Sequence, residues 1–185
     1  MPELQVKGAA FKQVLDTYRE VRGDEFARQV LANVPGQGGE QLRLGAVLAS
    51  SMHPVAWYRD LLRAGSDLSG RGAEFAHEIG RRSAERDIGT MHRLIFRALS
   101  TETLMKQVPR ILGLYFDGGR GVADVQGPGN VRLTCTDFFG FDHLVWRDFA
   151  GGCEAMLAAT RVSEAQARII AGGTAERAVI ELRYR

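Results

Sequence analysis

The stretch Val122–Thr136, with the sequence VADVQGPGNVRLTCT, decides the fold because the spacing of apolar residues changes there. In its second part Val131, Leu133 and Cys135 alternate with polar residues, which is typical of a strand with one buried face. The GPGN tetrapeptide in its middle is a turn signal. The stretch therefore predicts a β-hairpin.

The segments on either side of this hairpin set the rest of the architecture. Upstream, apolar residues recur every three or four positions, the pattern of amphipathic helices. Downstream, residues 138–159 return to helical spacing, and residues 167–184 alternate again around Gly172-Gly173. Helices followed by hairpin, helix and hairpin predict an α+β fold, in which an N-terminal helical bundle packs on a C-terminal antiparallel sheet. We expect one domain over residues 1–185, with a helical part at about 8–110 and a hairpin–helix–hairpin part at about 111–185.

Glycine and proline set the predicted helix ends. Gly23 is expected to end the first helix, and residues 35–39 (PGQGG) are expected to form a loop. The longest helix, or two helices in line, is expected over residues 71–99. The helix that opens at Thr101 is expected to end near Pro109, because proline lacks the N–H that a helix interior needs.

Composition restricts the class of protein. Of the 185 residues 45% are hydrophobic and 25% are charged, as in globular proteins that bury a core. A net charge of +2 is too small to indicate nucleic-acid binding, and no run reaches the roughly 18 apolar residues of a membrane helix. The N-terminus has no leader pattern, and Cys135 and Cys153 have no metal-binding spacing. We expect a cytoplasmic protein that binds neither nucleic acid nor membrane.

The residue types that carry catalysis do not form a recognisable arrangement. Asp142 and His143 are adjacent, so on a helix their side chains point in different directions. The glycines of residues 118–121 precede a strand and lack the Lys-Ser of a phosphate-binding loop. The four histidines are scattered, without the spacing of metal ligands. The chain is therefore not expected to be an enzyme or to hold a metal ion.

A family resemblance adds to this picture. Residues 108–112 (VPRIL) and 115–119 (YFDGG) are followed by the hairpin, a glycine-containing helix and a closing hairpin that ends in IELRY. This order resembles the four-vinyl-reductase-type small-molecule-binding domain, whose superfamily includes heme nitric-oxide-binding sensors and the vesicle-tethering TRAPP subunits. The whole chain also resembles a myxobacterial family of about this length that carries the motif found here at residues 53–58 (HPVAWY).

The resemblance implies a ligand-binding sensory or adaptor domain that acts through a protein partner or through self-association as a homodimer. One alternative is a scaffold protein with a filled core. A second alternative is a heme-based gas sensor in which His92 is the iron ligand. In the heme-binding branch a Tyr-x-Ser-x-Arg motif holds the propionates, whereas Tyr115 and Arg120 here lack the serine and are one residue further apart. We therefore expect no cofactor. We expect the pocket to bind a small apolar ligand.

Two groups of residues are the predicted sites. The ligand-pocket candidates are His92, Tyr115, Arg120, Cys135, Phe138, Phe141 and Trp146. The candidates for an interaction surface are His53, Trp57 and Tyr58.

Overall fold

A computed structural model of the chain describes residues 3–91, 100–160 and 162–185. It confirms the α+β class, with helices first and an antiparallel sheet in the C-terminal part. In chain order the elements are β1 (Gln5–Lys7), α1 (Gly8–Asn33), α2 (Gly36–Arg43), β2 (Met52–Pro54), α3 (Val55–Ser69), α4 (Gly72–Met91), α5 (Thr101–Tyr115), β3 (Arg120–Gly127), β4 (Asn130–Thr136), α6 (His143–Ala158), β5 (Ala165–Gly172) and β6 (Ala178–Tyr184).

The two predicted hairpins are confirmed and form one four-stranded sheet. The strand order is β3-β4-β6-β5, and every neighbouring pair is antiparallel. Val131, Leu133 and Cys135 face the core and are fully buried, so the alternation read from the sequence gives the correct inner face. A second, two-stranded sheet pairs β1 with β2, and the sequence had not predicted it.

The predicted end of the first helix at Gly23 is confirmed: its backbone is non-helical, with φ +87° and ψ 167°, and two helical segments of α1 meet there at a kink. Two other predicted helix boundaries are wrong. Helix α2 begins at Gly36, within the predicted loop, because Leu42 and two of its glycines pack into the core. Pro109 lies inside α5, which runs to Tyr115. Burial of Val108 and Leu112 on either side of that proline outweighs the missing hydrogen bond. The predicted helix over residues 71–99 is described only as far as Met91, and its remainder lies outside the described residues.

Helices α4 and α6 approach each other closely at two glycines. A Cβ atom on Gly80 would collide with the backbone carbonyl of Asp148, and one on Gly151 would collide with the carbonyl of His77. The two backbones therefore lie in direct contact, which only glycine permits. Buried residues of the helices and of the sheet form one continuous core.

A cluster of aromatic rings fills the space between α6 and the sheet. Trp146 is fully buried, and the centroid of its ring lies 5.3 Å from that of Phe138 and 4.7 Å from that of Phe141. Its Nε1 donates a hydrogen bond of 2.6 Å to the carbonyl of Ala175. Within the described ranges, none of the helices combines the length and the apolar character that crossing a membrane requires.

Candidate functional site

A cavity of about 480 Å³ opens between α1, α4, α5 and α6. This volume lies in the range of small-molecule binding sites. Most of its wall is apolar, contributed by side chains that include Val14, Ile88, Leu104, Val108, Ile111 and Met156. Its polar lining consists of Gln13, Tyr58, Ser83, Asp87, Gln107, Tyr115 and Asp148.

Helical spacing brings these side chains to the cavity. On α5, Leu104, Val108 and Ile111 recur at steps of four and three, so they share one face. On α6, Asp148 and Gly152 are likewise four residues apart and both line the cavity. At Gly152 a Cβ atom would meet its nearest neighbours, the Cβ of Ala84 and the carbonyl oxygen of Gly80, at 3.9 Å, which is an ordinary van der Waals contact.

The most unusual polar group in the cavity is the carboxyl of Asp148. Its Oδ2 accepts a hydrogen bond of 2.9 Å from the hydroxyl of Tyr58 on α3. Its Oδ1 is buried and has no hydrogen-bond partner among the described residues. Burial raises the pKa of Asp148 to about 7, although the hydrogen bond from Tyr58 lowers it. Burial and the nearby carboxyl also raise the pKa of Tyr58 well above its usual range.

A second polar group joins three helices beside the cavity. The hydroxyl of Tyr115 on α5 donates a hydrogen bond of 2.6 Å to Asp87 of α4 and accepts one of 3.5 Å from Gln13 of α1. Burial, followed by the hydrogen bond to Asp87, raises the pKa of Tyr115 to about 12. Tyr115 therefore stays neutral at physiological pH and ties α5 to the other two helices.

The predicted pocket residues lie in three places. Tyr115 lines the cavity, whereas His92 lies outside the described residues. The side chain of Arg120, at the start of the edge strand β3, is 83% exposed and lies 3.7 Å from Asp137, away from the cavity. The remaining candidates are buried in the core between sheet and helix and are not part of the cavity lining: Cys135, Phe138, Phe141 and Trp146.

The predicted interaction surface is divided as well. His53 and Trp57 are partly buried, and their rings stack at 5.6 Å. Tyr58 is only 5% exposed and belongs to the cavity, because residue 58 lies on the inner face of α3.

Sequence reasoning missed Asp87 and Asp148. A signal for Asp148 was present, since it lies four residues after Leu144 and four before Gly152, on the buried face of α6. An acidic residue on an apolar helix face is rare in a core without a partner or a function. Its partner Tyr58 is 90 residues away in the chain and could not be identified from local spacing.

Comparisons with known proteins give a fold and no sequence family. No family model matches the chain, and no curated protein is similar to it in sequence. Among solved structures, an unliganded Fe(II) H-NOX protein from K. algicida (a mutant) superposes with a TM-score of 0.72 at 10% identity, over 97% of this chain and 96% of that one. A mutant H-NOX protein from T. tengcongensis superposes with a TM-score of 0.68 at 13% identity, over 97% of both chains.

A third solved structure bears on the cofactor. It is described as modulating heme redox potential through porphyrin distortion, and it superposes with a TM-score of 0.62 at 14% identity, over 96% of this chain and 99% of that one. The expectation of no cofactor is contradicted by this neighbour, whose description names heme. Of the resemblance stated above, the part that concerns heme nitric-oxide-binding sensors is supported at the level of the fold. At these identities the comparison establishes one conclusion, that the chain has the H-NOX fold.

Proposed function

We propose that this protein is a sensory domain that binds a heme in the cavity between α1, α4, α5 and α6 and passes the binding event to a partner protein. The observation that carries the proposal is a cavity of about 480 Å³ with mostly apolar walls in a chain of H-NOX fold. The role is one of binding rather than catalysis. A bound heme would supply the iron at which a small gas molecule binds.

The apolar wall fits the body of a porphyrin ring. Heme binding also requires a residue that would hold the iron. Three of the four histidines, at positions 53, 77 and 143, lie in the described part of the chain, and none of these three lines the cavity. The fourth is His92, which lies outside the described residues and follows the cavity residue Ile88 by four positions in the sequence. We therefore propose His92 as the residue that would hold the iron.

The propionate groups of a heme fit the described lining less well than the ring does. No lysine or arginine belongs to that lining, whereas two carboxyl groups, Asp87 and Asp148, do. Tyr115 lies at the cavity, while Arg120 is directed to solvent. The described lining thus offers no positively charged side chain that would pair with the propionates.

A hemin titration tests the proposal. The purified chain is titrated with hemin and the visible spectrum is recorded, with His92→Ala as the test variant and His143→Ala, at an exposed position, as the matched control. We expect a Soret band that saturates at one heme per chain, is retained in His143→Ala and is lost or shifted in His92→Ala. Saturation that is the same in all three proteins would refute the role of His92, and no saturable band at all would refute heme binding.

A further inference from the structure

The Asp148 carboxyl has a binding capacity that the protein itself does not use. Oδ2 is occupied by Tyr58, while Oδ1 is buried without a partner among the residues described. A buried carboxyl oxygen that makes no hydrogen bond costs free energy, and in native proteins such groups are uncommon. A donor from a ligand in the cavity would remove this cost, because Asp148 lines that cavity.

Among the described residues that line the cavity with Asp148, none carries a positive charge. Helix α3 contributes the Tyr58 hydroxyl, and α1 contributes Tyr18, whose pKa is raised by burial and by this carboxyl. Helix α4 contributes Ser83, which is hydrogen bonded to Thr17 at 2.9 Å, and Asp87, which accepts from Tyr115. Within the described lining the cavity is thus apolar with an acidic character.

We infer that the cavity accepts an apolar ligand that carries an amine, and that Asp148 receives the amine as its hydrogen-bond and charge partner. This inference rests on the proposed function only in so far as the same cavity is the ligand site. An amine is favoured over a hydroxyl because a hydrogen bond between two charged groups is roughly twice as strong as a neutral one. A carboxylate ligand is disfavoured, because it would place two negative charges together in a region of low dielectric constant.

The test uses three probes of equal length: n-octylamine, n-octanol and n-octanoate. Each is titrated at pH 8 into the heme-free chain by calorimetry, since at that pH the amine is charged and Asp148 is ionised. The variants are Asp148→Asn and Asp148→Ser, and the control is Asp124→Asn at an exposed position on β3. Thermal melting checks that each variant is folded, and two variants of different size guard against loss of folding in one.

We expect octylamine to bind about tenfold or more tightly than the other two probes, as one charge-assisted hydrogen bond predicts. This preference should disappear in both Asp148 variants and remain in Asp124→Asn. Equal binding of all three probes to the unmodified chain, or a preference for the amine that survives in Asp148→Asn, would overturn the inference.

A cavity-filling variant separates this inference from the proposed function. Because Gly152 lines the cavity, Gly152→Phe places a ring there and should abolish binding of every probe and of hemin. If the unmodified chain binds all three probes equally and Gly152→Phe binds none of them, the cavity remains the ligand site and only the role of Asp148 is refuted. If the probes bind Gly152→Phe as they bind the unmodified chain, they lie elsewhere, and the inference fails together with the cavity as their site.

Discussion

The hydroxyl of Tyr58 on α3 donates a hydrogen bond of 2.9 Å to the carboxyl of Asp148 on α6, across 90 residues of sequence. Tyr58 is buried, Asp148 is partly buried, and both line the cavity. This hydrogen bond joins α3, a helix of the N-terminal part, to α6, the helix that packs on the sheet. It also determines which oxygen of Asp148 remains available to a ligand.

Loss of this hydrogen bond should lower stability. In Tyr58→Phe the ring keeps its packing against Phe11, whereas Asp148 loses its donor. We expect the free energy of unfolding to fall by about 1–3 kcal/mol, because an acceptor of this kind is left buried without a partner. Urea unfolding measures the change, and Tyr184→Phe, at the end of β6, is the control. A fall of equal size in both variants would show that the contact with Asp148 is not the cause.

The carboxyl of Asp148 should make stability depend on pH. Burial raises its pKa from 3.8 to about 7, so between these values the folded chain holds a proton that the unfolded chain releases. The free energy of unfolding therefore falls as pH rises from about 4 to 7, by roughly 4 kcal/mol from this group.

Asp148→Asn isolates that contribution, because asparagine cannot ionise. The free energy of unfolding of both proteins is measured in urea at pH 4.5, 6 and 8. We expect the value for the variant to rise relative to that of the unmodified chain as the pH rises. A difference between the two proteins that stays constant across this range would contradict a raised pKa at Asp148.

Two adjacent glycines of α6 should respond oppositely to alanine. At Gly151 a Cβ atom would collide with the backbone of α4, so Gly151→Ala should destabilise the chain by about 1–3 kcal/mol or more. At Gly152 the Cβ atom meets nothing closer than 3.9 Å, so Gly152→Ala should stabilise it by roughly 0.5–1 kcal/mol through helix propensity. Thermal unfolding of the two variants in parallel tests the close approach of α4 and α6. Equal effects would mean that the helices lie further apart.

Trp146 should matter for stability and not for ligand binding. Trp146→Phe removes the hydrogen bond to the carbonyl of Ala175 and leaves a void among the rings around it, at a cost of about 1–3 kcal/mol. Because Trp146 lies outside the cavity lining, the affinity for hemin or octylamine should change by less than about twofold at a temperature where the variant is folded. A large loss of affinity would instead place Trp146 in the ligand site, as the sequence had suggested.

The sequence by itself determined the fold class and both hairpins of the sheet. Hydrophobic periodicity is local, so Val131, Leu133 and Cys135 could be assigned to a buried strand face without knowledge of any partner. The path of α5 through Pro109 could not be obtained in this way, because tertiary burial outweighed a local helix-breaking signal. The pairing of β1 with β2 joins two three-residue strands that are too short for a periodicity signal.

The tertiary structure alone decided the site. Tyr58 had been assigned to a surface and Asp148 to no site, and only the packing of α3 against α6 brings the two together. Tyr115 and Arg120 are only five positions apart in the sequence. They are separated in the structure because Tyr115 ends a helix beside the cavity and Arg120 begins an exposed edge strand. Contacts between distant segments depend on the whole fold, and a single sequence records local preferences far more directly than such contacts.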